Sequence, residues 1–180
     1  MEEVDIIDAH DNIIGKDKRL AAHKKKLLHR GICVLLFNMN GDIFVQQRSA
    51  SKDTFPSLWE GGLSGHVQAG ETPHQAALRE IREELALALT PKNVCELARF
   101  GFDSTEEKML VTLYTAKDIK KEPIIDRDEV QTGEFWAIEK LENELKLGKK
   151  KFHPCFLKAY TLFKELDSQT KAFLLLKKKS

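Results

Sequence analysis

Two hydrophobic rhythms divide the chain. GICVLLFNM, GDIFVQQRS, VCELARFGF, KMLVTLYTA and VQTGEFWAI are short apolar or alternating runs bounded by turn-forming or charged residues. Each predicts a strand. The first two are joined by Asn40-Gly41, a dipeptide suited to a tight hairpin turn. VDIIDAHDNIIG predicts two more short strands around an Asp-Asn turn, and Phe55 to Ser64 reads as a loop leading into a strand. Lys16 to Arg30 is basic and reads as part helix, part loop. The helical rhythm begins at Thr72 and returns over Glu139 to Leu147, over Pro154 to about Leu166, and over Ser168 to Lys179 with a lysine tail. Strands on both sides of a central helix, with more helix at the C-terminus, predict an α+β class: a mixed sheet covered on its faces, an α/β/α sandwich. One domain over 1–180 is expected, with N-terminal strands and a basic segment in 1–30 and helices in 139–180.

The central helix is the unusual segment. In GHVQAGETPHQAALREIREELAL, Thr72 is placed to cap, Pro73 takes the first helical position and Gln75 follows three residues after the cap. At 100° per residue, Glu80, Glu83 and Glu84 share one face, while Leu78, Ile81 and Leu85 share the other with Ala77 at its edge. The carboxylates are expected to point outward. Such like charges repel by about 0.3 kcal/mol per pair, and Arg79 and Arg82 offset part of that. One reading is a solvated face with internal ion pairs. The other is a hard-cation site, because Mg²⁺ or Mn²⁺ prefers carboxylate oxygens and converts their repulsion into coordination.

The flanking residues favour the cation. The segment 65–87 resembles the Nudix box, G-x5-E-x7-R-E-U-x-E-E-x-G-U with U aliphatic, through Gly65, Glu71, Arg79, Glu80, Ile81, Glu83, Glu84 and Leu87. It departs at Ala86, where the family has Gly. An Ala is disfavoured in the left-handed conformation that a Gly adopts there, so the helix is expected to run on towards Thr90-Pro91. The resemblance implies an α/β/α sandwich with the box as a loop–helix–loop. It implies metal ligation by Glu80, Glu83, Glu84 and the Gly65 carbonyl, with Glu83 and Glu84 essential to catalysis, and a bracing pair in Glu71 and Arg79. In many relatives a further glutamate outside the box binds metal or acts as base. Glu129 is the leading candidate, with Glu106 and Glu107 as alternatives, and each is otherwise an ordinary surface carboxylate.

Composition narrows the setting. With 180 residues, 42% hydrophobic and 32% charged, the chain is ordinary for a soluble protein. A net charge of +1 points to neither a nucleic-acid nor a membrane partner. Three cysteines, Cys33, Cys95 and Cys155, fit no disulfide or metal spacing and suit a reducing compartment. The N-terminus shows no signal-peptide pattern and no apolar run reaches membrane-spanning length, so a cytoplasmic location is expected.

Segments outside the box resemble a narrower branch, the Nudix relatives that include isopentenyl-diphosphate isomerase. The resemblance runs over roughly residues 3 to 136, through VDIIDAHDNIIG, AAHKKKLLHRG, LLFNMNGDIFVQQRSASKDTFPSLWE and the GH after Ser64. In those isomerases, histidines of the AAH, LH and GH segments bind a divalent metal with two glutamates. His23, His29 and His66 stand in matching or near-matching places, with the His23 to His29 spacing one residue short. The expectation for these histidines is nonetheless surface or hydrogen-bonded side chains. The isomerase cysteine is replaced by Ser64. Glu107 fits one of the paired glutamates, and Met109 occupies the second place. Loss of two groups that move protons at carbon points back to phosphate chemistry.

The expectation is therefore a Mg²⁺- or Mn²⁺-dependent Nudix hydrolase cleaving a small organic diphosphate, with a nucleoside diphosphate derivative as default. The alternatives are an isopentenyl-diphosphate isomerase and a non-catalytic ligand-sensing domain. Arg48 and Lys52 are candidates to grip phosphate oxygens, and His66 lies beside them as a candidate contact. Phe55 and Trp59, like Phe100 and Phe102, are candidates to stack on the organic group, with core filling as the plainer reading. The partner is a small-molecule diphosphate, and a homodimer is compatible with the sequence.

Overall fold

A computed structural model describes residues 2–166. The helix expected over Ser168 to Lys179 and its lysine tail lie outside the described residues. The strands are β1 (Glu3–Ile7), β2 (Ile13–Lys18), β3 (His29–Asn38), β4 (Ile43–Arg48), β5 (Trp59–Gly61), β6 (Leu63–His66), β7 (Val94–Asp103), β8 (Lys108–Ile119) and β9 (Val130–Trp136). The helices are α1 (Arg19–Lys24), α2 (Pro73–Leu85), α3 (Ile138–Leu147) and α4 (Pro154–Glu165). The expected loop before the box thus contains the short strand β5. It turns into β6 at Gly62, whose φ of +87° and close approach to the Val34 carbonyl leave no room for a side chain.

β3 is the hub. It pairs antiparallel with β1, β4 and β6 and parallel with β8, while β4 carries β5 and β9 and β8 carries β7. Its continuous apolar run is explained by burial on both faces. Ile32, Val34 and Leu36 pack in one core with Ala76, Ala77, Ile81 and Leu85 of α2. Cys33, Leu35 and Phe37 pack in the other with Leu141 of α3 and Phe156, Tyr160 and Phe163 of α4. The result is the α/β/α sandwich expected from the sequence. Phe100 and Phe102 belong to the second core.

The start of α2 follows its sequence. Thr72 Oγ1 accepts from the Gln75 amide at 3.3 Å and the Thr72 amide donates to Gln75 Oε1 at 2.9 Å, closing a capping box behind Pro73. Its end does not. The helix stops at Leu85, and Ala86 adopts the left-handed conformation with φ of +51°, where an extension to Thr90-Pro91 was expected. The reason is tertiary. The Ile124 amide donates to the Leu85 carbonyl at 3.0 Å and the Asp126 amide to the Glu84 carbonyl at 2.8 Å. These bonds satisfy the terminal carbonyls from outside the helix, and Leu87 is then buried.

Candidate active site

The carboxylate face of α2 does not point to open solvent. It forms one wall of a cleft of about 400 Å³, whose other walls include Gly65 and His66 of β6, Arg48 of β4, Glu107 and Met109 at the start of β8, Lys52 and Glu129 from loops, and His153 before α4. Glu84 is only 4% exposed and Glu80 is partly buried, whereas Glu83 is exposed. Gly65 leaves room for the Glu80 carboxylate, because a Cβ there would lie 2.6 Å from Glu80 Oε1 and displace it. Burial pushes Glu80 up to about 7 against the pull of Arg79. Burial, reinforced by Glu80 and Glu60, pushes Glu84 up to about 8. Gln46 Nε2 donates to Glu84 Oε2 at 3.2 Å.

Arg79 organises this wall. It donates to both oxygens of Glu71, to Glu80 Oε1 at 2.8 Å, to Glu83 Oε2 at 3.0 Å and to the His66 carbonyl at 2.9 Å. The loop before α2, the helix and strand β6 are thereby tied to one guanidinium.

Beside the cleft, which His66 lines, the histidines converge, against the expectation of surface or merely hydrogen-bonded rings. One ligand atom from each of His23, His29 and His66 lies within 4.8 Å of the others. This is the one such convergence of three or more ligand-type side chains among the described residues; Glu80, Glu83 and Glu84 do not close in as tightly. His23 Nε2 and His66 Nε2 are 3.1 Å apart, and Glu107 Oε2 lies 3.7 Å and 3.4 Å from them. The short spacing from His23 to His29 is accommodated because α1 ends at Lys24 and the Leu27 amide turns back to the Ala22 carbonyl. Burial lowers His23 to about 4, with His66 adding to the shift, and lowers His29 and His66 as well, so all three rings are neutral at pH 7. His29 Nδ1 bonds the Leu27 carbonyl at 2.9 Å, which puts its proton on Nδ1 and leaves the Nε2 lone pair free. Among the described residues His29 Nε2, His23 Nδ1 and Glu107 Oε2 are buried without a hydrogen-bond partner. Buried polar atoms are almost always satisfied. A neutral nitrogen-rich set with one carboxylate and unsatisfied atoms therefore fits a divalent metal.

Other residues named from sequence separate by position. Lys52 and Glu129 form an ion pair at the cleft. Glu107 belongs to the histidine cluster. Glu106 lies outside the cleft, where its Oε2 accepts from the Phe55 amide at 3.0 Å. Arg48 lines the cleft but commits its guanidinium to Glu60 Oε1 at 3.2 Å and to the Phe55 and Thr54 carbonyls. Phe55 and Trp59 are corrected: neither lines the cleft. Strand alternation puts Trp59 on the face opposite Glu60, where it packs on Trp136 with centroids 5.6 Å apart. Phe55 packs against the core with Phe102 and His153.

Sequence reasoning missed Glu60, Asp126 and His153. Glu60 is buried, and its Oε2 accepts from Ser64 Oγ at 2.8 Å. Burial alone would raise its pKa, but Arg48 and the hydrogen bond from Ser64 outweigh this and hold it ionised. Asp126 enters the cleft beside the end of α2. His153 is marked in the sequence by its place directly before Pro154, where a helix begins.

Comparison with known proteins agrees with this geometry. Residues 27–159 match the NUDIX domain, and the chain belongs to that family. It is similar to the uncharacterized Nudix hydrolase PA4841 of Pseudomonas aeruginosa, at 34% identity over 61% of this chain and 64% of that relative. It is also similar to isopentenyl-diphosphate Delta-isomerase 2 of Photorhabdus laumondii, at 30% identity over 76% of this chain and 77% of the relative. Among solved structures, that of DR0079 from Deinococcus radiodurans superposes with a TM-score of 0.72 at 26% identity, covering 90% of this chain and 99% of the other. No described helix is long and apolar enough to cross a membrane.

Proposed function

We propose that the protein is a Nudix hydrolase, dependent on Mg²⁺ or Mn²⁺, that cleaves the P–O–P link of a small organic diphosphate, with a nucleoside diphosphate derivative as the default substrate. The observation that carries this reading is that Glu80, Glu83, Glu84, His66, Glu107 and Lys52 line one cleft. A bound divalent metal neutralises diphosphate oxygens and acidifies water. The residues that would hold it are Glu80, Glu83, Glu84 and the Gly65 carbonyl at the cleft, while His23, His29, His66 and Glu107 form a second set that would hold a divalent ion of its own. Lys52 binds a phosphate oxygen, and its pairing with Glu129 sets a carboxylate beside the diphosphate to take a proton from attacking water. Arg48 holds Glu60 and the 54–55 loop and thereby shapes the wall. Glu71 and Arg79 brace the loop against α2. Residues 2–166 act as one domain, a reading supported by the pairing of β1 with β3. Three free thiols, Cys33 and Cys155 of them buried, support a cytoplasmic setting. Assembly as a homodimer is compatible with this reading.

A second reading is isomerisation of isopentenyl diphosphate, and the histidine cluster favours it. Ser64 and Met109 oppose it, since neither moves a proton as a thiolate or carboxyl does. The deciding experiment is a screen of diphosphates with Mg²⁺ or Mn²⁺, reading phosphate, nucleotide and dimethylallyl products. Hydrolysis of one or more diphosphates is expected. Isomerisation without hydrolysis would reverse the order of the two readings.

A further inference from the structure

We infer that His153 is a specificity-determining hydrogen-bond donor, fixed as the neutral Nε2–H tautomer, that reads an acceptor atom on the organic group of the substrate. The inference rests on the hydrolase reading. It narrows the substrate class to diphosphates whose organic group carries an oxygen or nitrogen acceptor, against purely hydrocarbon ones.

The backbone holds this residue from both sides. The His153 amide donates to the Trp59 carbonyl at 2.8 Å, and the His153 carbonyl accepts from the Leu157 amide at 3.0 Å. Its side chain caps α4, with Nδ1 accepting from the Cys155 amide at 3.1 Å. A backbone N–H only donates, so Nδ1 carries no proton and the neutral ring carries it on Nε2. An imidazolium would turn an N–H against that amide, so the cap itself opposes protonation. The ring packs edge-on to Phe55 at 4.4 Å between centroids and tilted to Phe102 at 6.2 Å, which fixes its plane. His153 is 2% exposed and lines the cleft, and Nε2 has no hydrogen-bond partner among the described residues.

The neighbourhood says what that donor meets. The residues lining the cleft also include Thr54, Ser64 and Met109, all uncharged. Of the charged residues nearby, Arg48 is matched to Glu60, while Glu107 lies 3.4 Å and 3.7 Å from neutral His66 and His23. The acidic helix and Lys52 suit the metal-bound diphosphate. The uncharged lining residues suit the organic group. A hydrocarbon group seated there would leave the Nε2–H buried and unpaired, whereas a hydroxyl, carbonyl or ring nitrogen would accept from it. Sites with a buried donor reject analogues that lack the acceptor far more strongly than apolar pockets reject an extra methylene.

Two variants separate this role from the structural one. His153→Asn keeps a good capping oxygen but is too short to present a donor at the Nε2 position. His153→Gln loses the cap but reaches that position with an amide N–H. The test compares ADP-ribose and UDP-glucose with isopentenyl diphosphate, by kcat/KM from ³¹P NMR of products and by Kd from calorimetry, with Mg²⁺ present. The wild type is expected to favour the nucleotide probes by about tenfold or more. His153→Asn should melt at the wild-type temperature yet lose most of that preference, and His153→Gln should recover part of it. Burial lowers the His153 pKa from 6.5, and ¹⁵N NMR should show the ring as the Nε2–H tautomer at pH 7 and above. An unchanged preference in His153→Asn, a wild type that binds both probe classes alike or binds neither, or an imidazolium signal at pH 7 would overturn the inference. A wild type that prefers the nucleotide probes in Kd but hydrolyses nothing would sink the hydrolase reading and leave the role of His153 standing.

Discussion

Arg79 grips both carboxylate oxygens of Glu71, with Nε 3.0 Å from Oε1 and Nη2 2.9 Å from Oε2. This fork ties the loop before α2 to the helix, and the same guanidinium also holds Glu80, Glu83 and the His66 carbonyl. Arg79→Ala therefore removes the counter-charge of three carboxylates at once. Breaking a buried pair from one side costs 3–5 kcal/mol, and partial exposure of this one reduces the expected loss to about 2 kcal/mol. The melting midpoint should fall by about 5 °C. An unchanged midpoint with lost activity would move Arg79 from bracing to chemistry.

Glu83→Gln and Glu84→Gln should each lower kcat at least about a hundredfold at saturating Mg²⁺ while circular dichroism stays that of the wild type. In the proposed site each carboxylate would hold a metal that supplies several kcal/mol of transition-state stabilisation. The two variants differ in packing: Glu84 is buried against Gln46, so its neutral isostere fits the folded chain without strain. Near-wild-type turnover in either variant would show the metal to be elsewhere.

The strands, the α2 capping box and the spacing of the box carboxylates were legible because each is local: alternation, a Thr-Pro start and helical periodicity act within a few residues. What was illegible came from distant chain. Ala86 turns left-handed because Ile124 and Asp126 cap the helix from almost forty residues on. The carboxylate face is a cleft wall because Gln46 and Lys52 stand opposite it. His23, His29 and His66 meet because the register of β3 against β6, Gly31 beside His66, and the reversal after α1 bring three segments together. Phe55 and Trp59 looked like stacking residues by type alone, and only the strand pairing shows which face each occupies.

The buried glutamates and histidines set opposing pH dependences on the metal-stripped protein. Glu84 and Glu80 are raised from an ordinary 4.5 to about 8 and about 7. Their contribution is full below pH 4.5 and is lost as pH rises through those values. His23 is lowered from 6.5 to about 4, so its contribution is full above pH 6.5 and is lost as pH falls towards 4. Between 4.5 and 6.5 the two trends oppose each other. Above 6.5 the histidines are neutral in both states and the glutamates alone act. The midpoint measured in chelator should fall from pH 6.5 to 8.5, and Glu84→Gln should flatten that decline. A wild-type midpoint that rises over this range would contradict the assignment.

Wild-type protein should not convert isopentenyl diphosphate to its dimethylallyl isomer, and restoring one residue should not create the activity. An alkene is weakly basic, so its protonation needs a strong, correctly placed acid, and removal of the allylic proton needs a base on the other side. Ser64 offers neither. Its hydroxyl already donates to Glu60 at 2.8 Å, a carboxylate that Arg48 holds ionised, and a serine so engaged is a far poorer proton acceptor than a thiolate. Met109, beside Glu107 at the cleft, has no acidic proton. Ser64→Cys should therefore remain inactive unless Met109→Glu accompanies it. Solvent deuterium entering isopentenyl diphosphate in the presence of Mg²⁺ or Mn²⁺ is the sensitive readout, because exchange reports protonation at carbon even when net conversion is slow. Exchange by the wild type would show that another residue of the cleft supplies the acid, and the histidine cluster would then have to be read as part of carbon chemistry.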